Sequence, residues 1–467
     1  MTTDKSQLGG GKDPSGSVYE QDGSIYRSIS STFIPFFHSL LENNVVQGMI
    51  GRELVHTAAI DEEDADTGLV LKHEKITPLN YPYEWPSAML HDAARLTLEI
   101  CLNLLDEGLI LKDATPWNVM YHTEKPVFLD FASIMPIDSD LVWVALDQFS
   151  RLFLFPLLAA EHGYGRAVRA LMLASQNGIS SNEIGSFLPA FSWVKKPWLI
   201  KRIYLPLMIV GMLQKSGQDK EIGKYIKKAE VSADARKKFF TELLSDLNSI
   251  HFKIGKSMWS QYYADVESFF NPEQFNQKQK VVADLLRDLK PKTVTDIGSN
   301  MGGYAVLAAL EGASVTAFDT DEDSINMFYE LVKTRNLNIT PLVLDVTNPP
   351  PACGWRSMQY PPAIERFKSE GVLALALVHH LAITQGQYFN RIADELSDYC
   401  DEWLLTEFVP PEDPRTKELL LTCRRDMSWY TLEGYVSALK KKFKQISTFK
   451  SHPDGRTLIL CEKKIKG

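Results

Sequence analysis

The sequence predicts an α/β protein in two parts. A doubly wound, mainly parallel sheet fills the C-terminal half, and a mostly helical α+β region precedes it. The first of three observations is a β-rich apolar run at 293–297 that breaks into Gly298-Ser299-Asn300-Met301-Gly302-Gly303, resumes with helical spacing over 304–310 and returns to a strand at 314–318. Further strand-like runs, at 342–344, 372–378 and 403–408, follow at the intervals that intervening helices need. Upstream, residues 147–251 carry helical periodicity broken at Gly163, Gly165, Gly178, Pro189 and Pro197.

Length and composition bound the rest. The chain has 467 residues, enough for two or three cores, and is 45% hydrophobic and 23% charged, as soluble globular proteins are. A net charge of −9 gives no reason to expect nucleic-acid binding. Five scattered cysteines (Cys101, Cys353, Cys400, Cys423, Cys461) without a C-x-x-C pair point to reduced thiols, a cytoplasmic location and no structural zinc. Residues 1–25 are polar and glycine-rich at their start and read as a flexible tail with no secretion signal. The longest apolar run, 203–213, is too short to span a bilayer and reads as a buried helix. The lysine-rich stretch 215–238 reads as a solvated helix face.

In order, residues 28–46 have helical spacing, 61–66 form an acidic loop, and 68–73 read as a strand. A rigid aromatic turn at 81–86 leads into a long helix over 87–107 that Gly108 closes. Next comes Lys112-Asp113-Ala-Thr-Pro-Trp-Asn118, and then Asp130-Phe131 at the end of a strand. The aromatic segment 256–263 with Phe269-Phe270 reads equally well as a cover over a ligand or as core. A helix over 276–289 enters the glycine turn, and two strands at 445–449 and 456–462 close the sheet at about seven strands.

The glycine turn carries the chemistry. It lets a ligand approach the backbone, the helix behind it offers free N–H groups, and Asp319 at the next strand end is placed to accept ribose hydroxyls. Asp296, just before Gly298, would repel a pyrophosphate but can hold an ammonium, so a nucleoside bearing a cation fits better than a dinucleotide. Asp296-Ile297-Gly298-Ser299-Asn300-Met301-Gly302 resembles the first motif of class I S-adenosylmethionine (SAM) methyltransferases, with Asn300 in place of the commoner middle glycine. That resemblance implies a Rossmann-like seven-stranded methyltransferase sheet and SAM as cofactor. It makes Asp319, with Thr320, the ribose-binding position, and Asp345, with Val346, the position meeting the adenine amino group.

At the reacting end, His379-His380 and Glu407 close the fourth and fifth strands on the same rim. Neighbouring strand residues face opposite ways, so one histidine is expected to reach the substrate and take its proton. No metal is expected, because nothing supplies further carboxylates. Lys112, Asp113, Asn118 and Asp130 resemble the catalytic loop and metal-binding Asp-Phe of protein kinases and aminoglycoside phosphotransferases. Lys112 and Ala132 depart from that pattern, no phosphate-covering glycine loop is recognised upstream, and Lys72 is the candidate strand lysine. A kinase-like scaffold and true phosphotransfer both follow from it. Together with 81–85, 376–380 and 407–410, these motifs resemble a group of bacterial two-part methyltransferases related to a nodulation-type protein. The expected layout is a tail (1–25), a kinase-like domain (26–255) and a methyltransferase domain (256–467) acting on a small molecule or saccharide. A cofactor sensor without turnover and a bifunctional phosphotransferase are the alternatives.

Overall fold

A computed structural model describes residues 6–8, 13–60, 68–138, 142–189, 192–204, 231–252 and 266–463. The acidic loop 61–66, the aromatic segment 256–263 and the greater part of 203–213 and 215–238 lie outside the described residues. The chain forms two compact units, one of residues Met1–Thr77, Tyr81–Tyr121 and Pro126–Lys253, the other of Pro78–Asn80, His122–Lys125 and Ile254–Gly467.

The first unit begins with a five-stranded antiparallel sheet. Its strands are β1 (Ser6–Leu8), β2 (Gly16–Gln21), β3 (Ser24–Ile29), β4 (Thr57–Ile60) and β5 (Val70–His73), in the order β1-β2-β3-β5-β4. The expected flexible tail is therefore structured at 6–8 and from 16 onward. Asp22 and Gly23, with φ of +51° and +74°, form the two-residue turn that joins β2 to β3. The helix expected over 28–46 starts later, at Ile34–Glu42. It stops at Asn43, whose side chain accepts the N–H groups of Val45 and Val46 and starts a second helix, Asn44–Met49.

The long helix Ser87–Leu105 buries Met89, Ala93, Leu96, Ile100 and Leu104, the face its spacing predicts. Short strands follow: β6 (Leu109–Leu111), β7 (Val119–His122), β8 (Lys125–Phe128) and β9 (Ile134–Pro136), with β6 paired to β9 and β7 to β8. Beyond them the described elements up to Asn248 are helical.

The second unit is built on a seven-stranded sheet. Its strands are β10 (Thr293–Ile297), β11 (Ser314–Asp319), β12 (Ile339–Val343), β13 (Ser369–Ala374), β14 (Cys400–Phe408), β15 (Gln445–Lys450) and β16 (Thr457–Glu462). The order is β12-β11-β10-β13-β14-β16-β15. Strands β10 to β14 run parallel, and β16 pairs antiparallel with β14 and β15. Chain direction across the sheet reverses beside β10, between β11 and β13, and the carboxyl ends there form the crevice where such sheets bind ligands. The helix Gln277–Leu289 starts on a reciprocal cap between Asn276 and Gln279 and packs Val282, Ala283 and Leu286 into the core. Gly302 at the turn has φ of +74°, and a Cβ there would lie 1.9 Å from the Phe328 ring, so only glycine fits.

Candidate active site

The carboxyl ends of β10 to β13 open onto a cavity of about 490 Å³. The turn after β10 contributes Gly298, Ser299 and Asn300, β11 contributes Asp319 and Thr320, and the segment after β12 contributes Leu344 and Val346. Local backbone bonds fix these groups. The amides of Gly298 and Ser299 donate to the Phe318 carbonyl, at 2.9 and 3.1 Å. Asn300 takes a φ of +51°, which Asn tolerates, and donates its N–H to Asp319 Oδ2 at 2.9 Å. Asp319 Oδ1 accepts the Asp321 N–H at 3.0 Å, so its carboxylate is held from two sides. Burial pushes its pKa up, against those backbone bonds.

Asp296 and Ser299 carry unmet polar capacity. Asp296 is buried, and its Oδ2 has no hydrogen-bond partner among the described residues; nor has the Ser299 hydroxyl. Burial pushes the Asp296 carboxyl up to about 7; the Ala305 N–H opposes this, the Asp319 carboxylate adds to it and Lys278 opposes it. A buried acceptor left open costs free energy until a donor arrives, and a cationic ammonium is the donor that an Asp side chain holds best. Ser299 lines the cavity and Asp296 does not, and with Asp319 on the wall the residues present fit a nucleoside with an amino-acid tail.

Asp345 is placed differently from its expected role. It is exposed and does not line the cavity, and its Oδ1 accepts the Thr347 N–H and hydroxyl at 2.8 and 2.7 Å. Its neighbours Leu344 and Val346 face the cavity instead.

The histidines do not end a strand. Strand β13 stops at Ala374, Ala376 turns the chain with φ of +51°, and His380–Thr384 forms a wide helical turn closed by the Gln385 N–H on the His380 carbonyl. His380 lines the cavity, while His379 is buried behind it, the ring centroids 4.1 Å apart. Burial, with His380 next, pushes His379 down to about 3. Burial and then the Arg415 charge also hold His380 below the usual imidazole range, so it is neutral near pH 7 and able to accept a proton.

Glu407 is fully buried and absent from the cavity wall. It accepts Lys278 Nζ at 2.7 Å and the Ser451 hydroxyl. It fixes Lys278, which does line the cavity beside Tyr304, its Nζ 4.7 Å from the Tyr304 ring centre. Burial lowers the Lys278 pKa and Glu407 opposes the shift. Lys278, Tyr304, Thr384, Gln385 and Arg456 were not legible as site residues. Tyr304 directly follows the glycine turn, but no local motif marks the others, since they come from three separate segments.

In the first unit, Arg27 on β3 donates Nη2 to Asp130 Oδ1 at 2.8 Å and Nη1 to Asp13 Oδ2 at 3.1 Å. Lys112 Nζ reaches Asp13 Oδ1 at 3.2 Å. The cation beside Asp130 is thus Arg27, whereas Lys72 is exposed and lies over the Tyr26 ring. Burial raises the pKa of Asp130 and of Asp113. The Asp113 N–H donates to Ser133 Oγ at 3.0 Å, and the Asn118 carbonyl accepts the Leu129 N–H at 2.7 Å. The sequence between β1 and β2 is Gly9-Gly10-Gly11-Lys12-Asp13-Pro14-Ser15, of which 9–12 lie outside the described residues.

The sheet order, the glycine turn and the acids at its rim define the class: a SAM-dependent methyltransferase with an α/β catalytic unit. Residues 262–350 match the family model described as tellurite resistance protein TehB. Along 97% of its length the chain is similar to nodulation protein NoeA of Rhizobium meliloti (strain 1021), with 28% identity over 473 residues and 95% of that protein covered. Among solved structures, it is similar to an O-methyltransferase, described as putative, of Nostoc punctiforme, with 15% identity, 44% of this chain and 60% of the other covered, and a TM-score of 0.32. It is also similar to magnesium protoporphyrin IX methyltransferase of Synechocystis with bound SAH, with 14% identity, 45% and 100% covered, and a TM-score of 0.29. A third is monomeric WbdD, with 15% identity, 48% of each chain covered, and a TM-score of 0.30.

Proposed function

We propose that this protein transfers a methyl group from SAM to an oxygen or nitrogen of a small molecule or saccharide, with His380 accepting the proton released. The observation that carries the reading is the backbone-held Asp319 on the cavity wall, with the buried Asp296 just before the turn offering an Oδ2 that has no hydrogen-bond partner among the described residues. Asp319 and Thr320 would hold the ribose hydroxyls. Asp296 and Ser299 would hold the amino-acid end, and Gly298, Asn300 and Gly302 shape the turn that admits it. Leu344 and Val346 offer apolar faces to the base, with Asp345 between them. SAM, when bound, supplies an electrophilic methyl on a sulfonium. The chain's own part is to align the acceptor and receive its proton, and a neutral His380 on the cavity wall suits that task.

The first unit would orient or recruit the substrate. Its Arg27 guanidinium lies on Asp130, where phosphotransfer would need a metal ion, which favours a scaffold role. Among the described residues no helix is long and apolar enough to cross a membrane, and the five cysteines are free, in keeping with a cytoplasmic enzyme.

The test of the base is His380→Ala. Turnover of methyl-labelled SAM with a metabolite extract should fall by roughly 10²–10⁴, with SAM affinity within about twofold of wild type. Equal turnover would return His380 to a packing role. SAM binding without turnover in the wild type would favour a cofactor sensor.

Asp296 gives a pH signature. Its free carboxyl sits near 7, above the ordinary 3.8, so it is largely protonated at pH 6. A bound ammonium favours the carboxylate, so binding at pH 6 should release a proton, and affinity should rise from pH 6 toward 8, by up to roughly tenfold, until the ligand's own ammonium begins to lose its proton. Titration calorimetry in buffers of different ionisation enthalpy reads that proton directly. The dependence should vanish in Asp296→Asn.

A further inference from the structure

The cavity is divided by charge along the sheet. Over β10 and β11 its wall carries Asp319 and Asp321, whereas over β13 and the start of β16 it carries His380, Thr384, Gln385 and Arg456. Arg456 is held from one side only. Its Nε donates to Asp413 Oδ2 at 2.8 Å, and Asp413 is itself buried and fixed by the Arg415 N–H at 2.9 Å. Among the described residues the two Nη groups have no hydrogen-bond or ion-pair partner, although the side chain is only 15% exposed. Burial pushes Asp413 up, but the Arg456 bond and charge outweigh it and keep it ionised below the ordinary range.

We propose that Arg456 recognises an oxyanion on the methyl acceptor, a carboxylate or a phosphate. A guanidinium anchored through Nε presents its remaining N–H groups as a fork that matches two oxygens of one anionic group. Gln385 and Thr384, whose side chains form no hydrogen bond among the described residues, line the same cavity as neutral partners for hydroxyls. Asp413 is the positioning residue: it fixes the plane of the fork. The assignment rests on the methyltransferase reading above and adds to it the class of acceptor, an anionic small molecule.

The test uses the full chain saturated with SAH and titrated with glucuronate, glucose 6-phosphate and glucose. At least one anionic sugar should bind ten times or more tighter than glucose, and the ratio of the two anions tells carboxylate from phosphate. Arg456→Gln should lose about tenfold or more in anion affinity, with SAH affinity within about twofold. Arg456→Lys should recover only part of the loss, and Asp413→Asn should fall between. Unchanged anion binding in Arg456→Gln, glucose binding as well as glucuronate, or no anion binding to the SAH complex would each overturn the assignment. So would a fivefold or larger loss of SAH affinity in Arg456→Gln, which would put the guanidinium on the cofactor. Failure of the wild type to bind SAH at all is a separate result that removes the methyltransferase reading and this assignment with it.

Discussion

Replacing Asp319 by alanine is expected to weaken SAM binding at least about thirtyfold while leaving the fold in place. Two charge-assisted hydrogen bonds to ribose hydroxyls are together worth about 2–4 kcal/mol, and 2 kcal/mol is about thirtyfold in affinity. The carboxylate enters that role already ordered. Oδ2 is fixed by the Asn300 N–H and Oδ1 by the Asp321 N–H, so little rotamer entropy is lost when a ligand arrives. Truncation also releases the Asn300 amide, and the loss then spreads into the turn that carries Ser299. Asp319→Asn separates the two effects, since it keeps an acceptor for one backbone N–H and removes the charge. It should retain the turn and still bind SAM roughly tenfold more weakly. Titration calorimetry with SAM and SAH measures both variants, and far-ultraviolet circular dichroism checks the fold. Wild-type affinity in Asp319→Ala would mean that the ribose is held elsewhere.

The turn after β10 and the acid ending β11 were legible because they are local, whereas Asp345 was expected on a wall that it does not line. Asp296, Gly298, Ser299, Asn300 and Asp319 belong to one strand, turn, helix, strand unit, and a short stretch of chain fixes their geometry. The opposite end of the cavity was not legible. Lys278 meets Glu407 across 129 residues of sequence, and Arg456 meets Asp413 across 43. No periodicity announces such pairs. In the first unit the link between Arg27 and Asp130 spans 103 residues, so the search for a lysine on the wrong strand had no local signal to correct it. The misread tail has a different cause. Its glycine and serine content masked an Asp22-Gly23 hairpin turn, and that dipeptide between alternating residues is itself a strong local signal. At the histidines the apolar run continues four residues past the strand, because Leu375 to Val378 are held by the turn at Ala376 instead of by the β ladder.

Glu407→Ala should be the most destabilising single change in the second unit's polar core. Glu407 is fully buried and Lys278 nearly so, with 7% of its side chain exposed, and the ammonium has no other carboxylate among its described hydrogen-bond partners. Burying the pair gains little net stability over an apolar pair, since desolvation of both ions offsets their attraction. Removing one member is another matter. It leaves a buried cation whose pKa burial already depresses, at a cost of about 3–5 kcal/mol. The melting transition of the unit should fall by roughly 10 °C. The same argument predicts a rescue. In Lys278→Met with Glu407→Leu neither charge remains, and most of the lost stability should return, limited by the Ser451 hydroxyl left without its acceptor. Activity should not return with it, because Lys278 also forms part of the cavity wall beside Tyr304. Thermal melts of the two variants, set beside methyl transfer by the same samples, separate the structural cost of the pair from its place in the site. If Glu407→Ala melted with the wild type, water would have to reach the ammonium, and the burial of this pair would not exclude solvent from it.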